Sequence, residues 1–272
     1  MILKLKLILV AIILSIAWCE KKSLPVYQKM TCDTDYALNE TFYDSDADLT
    51  LRLSYHWFSD TIGEIDYKAI DSSLSILNEM FEIAGIDFVI ESAQEIVGTE
   101  KHDMPSYVKH ARFYNYEGSI NVYVYGNEQL NFPEKRKGVV GAAGGIPSTF
   151  FAIRKGWLST VTIAHEAGHC LGSYHIDTPD RDTTGTTSKS GDYVCDTPAS
   201  LNVAEEVTSN CIYKGDREYT PEELQIITCN IMSDAYAKCR GCFTEGQIQR
   251  MKWVIEQSSD LRECIKEPKP YF

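Results

Sequence analysis

The chain has 272 residues, and 26 Lys and Arg against 39 Asp and Glu give a formal net charge of -13. Hydrophobic residues at 44% and charged residues at 24% are globular proportions, which excludes a mainly disordered chain. The acidic balance argues against nucleic-acid partners, which need basic patches against phosphate, and against adhesion to anionic lipid.

Residues 1–19 read as an export signal: Lys4 and Lys6 precede an almost wholly apolar run from Leu7 to Trp18. That run is too short for a membrane span of about 20 residues. Cleavage after Cys19 predicts a secreted chain; the alternative is a lipid anchor on Cys19. No later run is long and apolar enough to span. Residues 20–49 are polar and acidic, a leader or short prosegment carrying Cys32. Leu51 to Phe58 has strand composition. A helix is predicted from about Asp66 to Ala84, with Ile70, Leu74, Leu77 and Phe81 on one face and Gly85 as the stop. Further strands are predicted at Ile86–Ile90, at Asn121–Tyr125 and, once or twice, between Gly138 and Trp157. A second helix runs from Ser159 to about Leu171. Residues 176–229 read as loop. A last helix begins at Thr244, where Thr244 and Gln247 fit a capping box. This order suggests a mixed sheet backed by helices.

The segment His165-Glu166-Ala167-Gly168-His169-Cys170-Leu171-Gly172-Ser173-Tyr174-His175 concentrates the chemistry. His165 and His169 are four apart, so a helix places both imidazoles on one face. Gly172 tolerates the left-handed backbone that ends a helix and returns His175 toward the same point. Three neutral imidazoles suit Zn²⁺ and leave it an open position, where it lowers the pKa of water toward about 7. Glu166 is placed to act as general base and acid without being a ligand. The extended pattern is the metzincin zinc motif, which calls for a downstream Met-turn; Asn230-Ile231-Met232-Ser233 is the candidate. His56, His102 and His110 lie elsewhere and read as ordinary surface or strand residues.

Beyond the shared zinc motif, the chain resembles the pappalysin-type (cytophagalysin, M43) metzincins. The resemblance rests on Gly191-Asp192-Tyr193-Val194-Cys195-Asp196-Thr197-Pro198, on Asn230-Ile231-Met232-Ser233, and on Cys239 with Phe243-Thr244-Glu245-Gly246-Gln247-Ile248-Gln249-Arg250-Met251. It implies an α+β metzincin-like catalytic domain over residues 50–272. That domain has a mixed, mostly parallel sheet with an active-site helix and a second backing helix in an upper part of about 50–172. An irregular, disulfide-braced lower part covers about 173–272. It also implies peptide-bond hydrolysis of a protein or peptide substrate. One departure stands out: the position two after the Met-turn methionine, often tyrosine in this family, is Asp234, and the nearest tyrosine is Tyr236. A catalytically impaired binding or inhibitory module is therefore the alternative to a secreted zinc endopeptidase.

Six cysteines, Cys195, Cys211, Cys229, Cys239, Cys242 and Cys264, are enough for three bridges in the lower part. The resemblance favours Cys195–Cys229 and Cys211–Cys239. Cys170 is expected to pack as a buried thiol, and Cys32 is a candidate thiolate latch on the metal, with a disulfide or free thiol as the alternative. Asp177, Asp180, Asp182, Asp192 and Asp196 offer hard oxygens for structural Ca²⁺, or form a solvated acidic loop. The strand region between Gly138 and Ile153 is a candidate edge for pairing with an extended substrate.

Overall fold

The computed structural model describes residues 48–98, 102–103, 110–111, 113–126, 130–131, 139–177, 192–194, 196–198, 200 and 202–266. The signal, most of the leader, Cys19, Cys32, Cys195, Asp180 and Asp182 lie outside the described residues.

Strand β1 (Leu49–Ser59) runs through α1 (Tyr67–Phe81) to β2 (Ile86–Val97), and the two strands pair in parallel. Asp66 caps α1 by accepting from the Ala69 N–H at 3.0 Å, and Ile70, Leu77 and Phe81 bury the predicted face. The helix closes through a 3-10 turn onto Gly85, the predicted stop, whose φ of +61° is left-handed. The short β3 (His102–Asp103) pairs with β5 (Leu130–Asn131) in a separate ladder. Strands β4 (Ile120–Tyr125), β6 (Gly141–Ala143) and β7 (Phe150–Arg154) complete the main sheet in the order β2-β1-β4-β7-β6. All its pairings are parallel except β6–β7, which is antiparallel and leaves β6 at the edge.

Alternation sorts the side chains to two faces. Leu51, Leu53, Tyr55, Ile120, Val122, Val124, Phe151 and Ile153 enter the main core under the helices. Phe58, Tyr123, Tyr125 and Ala152 form a smaller cluster of their own. His56 is wholly buried in β1, not at the surface. Gln94 donates to its Nδ1 at 2.6 Å and its Nε2 faces Asn121 Oδ1 at 2.8 Å, while burial lowers its pKa and keeps it neutral. His110 stacks on Phe58 and bonds Tyr125.

Helix α2 (Thr162–Cys170) carries the zinc motif, and every one of its residues is buried. Nine residues with no side-chain cap are marginal alone, so packing against β6, β7 and α1 holds it. The predicted loop after it contains two helices, α3 (Val203–Glu206) and α4 (Pro221–Cys229). The start of α4 has a capping box between Thr220 and Glu223, with Pro221 at the first helical position. Then follow α5 (Glu245–Gln257), capped by Thr244 and Gln247 as predicted, and α6 (Ser259–Glu263).

Cysteine pairing differs in part from expectation. Cys211–Cys239 is present, but Cys229 pairs with Cys242 rather than Cys195. The Cys242 N–H donates to the Cys229 carbonyl at 3.0 Å, so the two backbones already lie side by side, with Cα atoms 5.5 Å apart. Cys264 is an unbridged thiol buried in the core, where its Sγ meets the Asp260 carbonyl at 3.3 Å. Cys170 is buried as expected.

Candidate metal centre

Helix pitch puts His165 and His169 one turn apart on α2, and both are nearly sealed from solvent. Gly172 turns at φ +96°, and a Cβ there would meet Val254 at 2.6 Å, so glycine is required by both conformation and space. The chain then runs back, and the Ile176 N–H donates to the Met232 carbonyl at 3.1 Å, which ties the His175 segment to the Met-turn. The ligand-capable nitrogens of His165, His169 and His175 all lie within 4.8 Å of one another.

Tautomers follow from the outer partners. His165 Nδ1 meets the Ile231 carbonyl and His169 Nδ1 the Ser173 carbonyl, each at 2.7 Å. A carbonyl only accepts, so both Nδ1 atoms carry hydrogen, and the neutral rings present bare Nε2 lone pairs. Burial drives both pKa values down, His169 to about 3, with the charge of a neighbouring imidazole next in effect. His165 Nε2 stands 3.0 Å from His175 Nε2 and 3.2 Å from His169 Nε2. The lone pairs of His165 and His169 facing one another at that range repel, whereas ligands about 2.0–2.1 Å from a tetrahedral zinc stand about 3.3 Å apart. The donor set therefore fits a divalent ion.

Glu166 is 5% exposed and lies against the edge strand. A Cβ on Gly141 would sit 2.5 Å from its Oε1, and the Ala143 N–H bonds its carboxylate. Burial raises the Glu166 carboxyl to about 8, with Arg240 acting in the opposite sense. Met232 forms the floor: its Sδ would be 2.6 Å from a Cβ on Gly168, so the glycine inside the zinc motif admits the Met-turn. The Met232 N–H donates to Asn230 Oδ1 at 2.8 Å, and Asn230 Nδ2 donates to Gln247 Oε1 at 2.9 Å, which joins the turn to the cap of α5. Asp196 accepts from Thr244 Oγ1 and the Gly246 N–H, both at 2.7 Å. Arg250 Nε donates to the Gly172 carbonyl at 2.7 Å and its guanidinium covers Tyr174 and Tyr193.

A family model described as Pregnancy-associated plasma protein-A (peptidase family M43) matches residues 156–256, which hold the triad, Glu166, the Met-turn and α5. Two curated relatives extend the likeness beyond that segment. Each is named an extracellular metalloprotease, one from Arthroderma benhamiae and one from Trichophyton verrucosum. Each is 26% identical over 231 residues, covering 78% of this chain and 74% of the relative. Over these residues the chain is similar to the pappalysin-type metallopeptidases. Among solved structures, metalloproteinase-II from Bacteroides fragilis aligns with a TM-score of 0.35 at 15% identity over 66% of this chain. A chaperone-substrate complex aligns with a TM-score of 0.37 at 16% identity over 54%. The chain spans 52% and 28% of those two chains respectively.

The three motifs that carried the pappalysin resemblance thus meet in one place: the Asp196 segment and the Met-turn both terminate on the cap of α5. The family's departure is also placed. Asp234, exposed, has a carboxylate oxygen within 4.8 Å of ligand atoms of His175 and Asp177, whereas Tyr236 is 52% exposed. Asp192 and Asp196 do not converge on a common ion among the described residues. Asp192 accepts from Thr197 Oγ1 and the Val194 N–H, and Asp196 caps α5, so calcium finds no support there. Gly141, Ala143, Asn230, Arg240 and Arg250 border or brace this cluster, and spacing along the chain did not reveal them.

Proposed function

We propose that the chain is a secreted zinc endopeptidase, with residues 1–19 as signal, 20–49 as leader and 50–272 as catalytic domain. The observation that carries this reading is the convergence of three imidazoles, two of them with bare Nε2 atoms, beside a buried carboxylate. His165, His169 and His175 would hold the ion. When bound, zinc supplies a polarising charge that acidifies water and stabilises a developing oxyanion. Glu166, held by the Ala143 N–H, removes a proton from the attacking water and returns it to the leaving amine. The edge strand β6, antiparallel to β7, offers backbone groups to an extended peptide. The names of the fungal relatives support an extracellular site of action.

Digestion of a peptide library tests the reading. Chelator-sensitive cleavage by the leader-free protein, restored by zinc and absent from Glu166→Ala, is the expected result. Peptide capture without any cleavage by the wild type would instead establish a binding module, the reading that Asp234 at the family's tyrosine position favours.

A further inference from the structure

Arg240 lies between two bridged cysteines, Cys239 and Cys242, on backbone pinned to the Cys229 and Cys211 segments. Its Nη2 donates to Thr162 Oγ1 at 3.1 Å and its Nη1 to the Ser233 carbonyl at 3.5 Å. Thr162 is four residues before Glu166, hence one turn away on the same face of α2. Ser233 directly follows Met232. The half-buried guanidinium therefore bridges the active-site helix and the Met-turn at one flank of the triad. Glu166, Asp234 and Asp177 all lie within its field, yet no carboxylate among the described residues forms an ion pair with it. Its Nε is buried without a hydrogen-bond partner among the described residues. A guanidinium offers five N–H groups in a planar fork, and among the described residues two are engaged. Buried cations are ordinarily paired, and an arginine held rigid with open donors matches a carboxylate.

Resting on the peptidase reading, we infer that Arg240 is a specificity residue that receives a carboxylate carried by the substrate next to the scissile bond. The carboxylate belongs either to an Asp or Glu side chain or to a nearby chain terminus. An ion on the histidines, together with the guanidinium, offsets the three surrounding carboxylates, so the incoming anion is not turned away. The pairing distinguishes glutamate from glutamine, because the neutral amide cannot satisfy the fork equally well.

The test uses the full leader-free protein with zinc and peptides that differ only beside the cleaved bond, carrying Glu, Gln or Lys on either side. A parallel set ends one or two residues beyond the bond as free acid or amide. The expected result is a kcat/KM ratio of Glu over Gln, or acid over amide, of about 10-fold or more in the wild type. The ratio falls to near 1 in Arg240→Ala and shifts toward Lys in Arg240→Glu. The arm in which the preference appears identifies the carboxylate. A wild-type ratio near 1, which needs no variant, overturns the inference, as does a preference kept intact in folded Arg240→Ala. If no peptide is cleaved, the peptidase reading fails separately. Fluorescence anisotropy on the same peptides then decides: tighter binding of Glu than Gln, lost in Arg240→Ala, upholds Arg240, and equal binding overturns it.

Discussion

Gly141 stands where the sheet edge meets α2, and its missing side chain is what allows the Glu166 carboxylate to lie flat against β6. Adding one methyl group asks either the backbone of β6 or the carboxylate to move, and a misplaced base loses about 10²-fold in rate for a displacement of about 1 Å. On the proposed mechanism, Gly141→Ala should lower kcat by that order while leaving zinc content unaltered, since no histidine touches the added atom. Measured metal stoichiometry beside steady-state kinetics checks this; equal kcat in the two proteins would show that Glu166 is not positioned by the edge strand. The histidines and Glu166 are the residues that the sequence exposed most clearly. Their spacing is itself a statement of helix pitch, and Gly172 marks the return. Gly141, Ala143 and Arg240 reach the same place by sheet pairing or by a chain crossing of 78 residues, and no local pattern encodes that.

At the scale of elements, α2 is held by its neighbours more than by its own termini, so the supports around it decide whether the triad keeps its shape. Asn230 is the joint: it accepts from the Met232 N–H and exchanges bonds with Gln247, which closes the α5 cap onto the Thr244 N–H at 3.0 Å. Asn230→Ala should cost about 2–3 kcal/mol, the sum of orphaned buried donors and a weakened cap, seen as a lower denaturant midpoint at unchanged m-value. A change below about 0.5 kcal/mol would mean the network relaxes around the gap. The caps of α1 and α5 were readable because side-chain chemistry at fixed offsets defines them. Helix α4 was equally signed by Thr220-Pro221-Glu222-Glu223, but the surrounding cysteines and polar residues obscured it. Bridge partners were not readable, because Cys229 and Cys242 come together only through tertiary contacts between their strand-like segments.

At the scale of the whole molecule, the start of the described chain is sewn to its last helix. Leu51 bridges Ile265, the Lys266 N–H donates to the Thr50 carbonyl at 2.7 Å, and the Arg52 N–H meets the Cys264 carbonyl at 2.9 Å. Arg52 also reaches the carbonyls of Gly118 and Glu263 through its guanidinium. Leu261 and Cys264 fill the main core beside Leu51 and Leu53. A chain stopped after Ser258 should therefore lose cooperative unfolding, with early heat denaturation and raised dye binding in calorimetry and fluorescence; an intact two-state transition would refute this.

That stitch has a consequence for synthesis. A ribosome delivers the sheet, α2 and the Met-turn well before residues 261–266 emerge, so the core beneath β1 stays open until those residues are made. The histidines can be present in a nascent chain without the frame that aligns them. On the proposed peptidase reading, hydrolytic power waits for residues 261–266, however early the histidines are made.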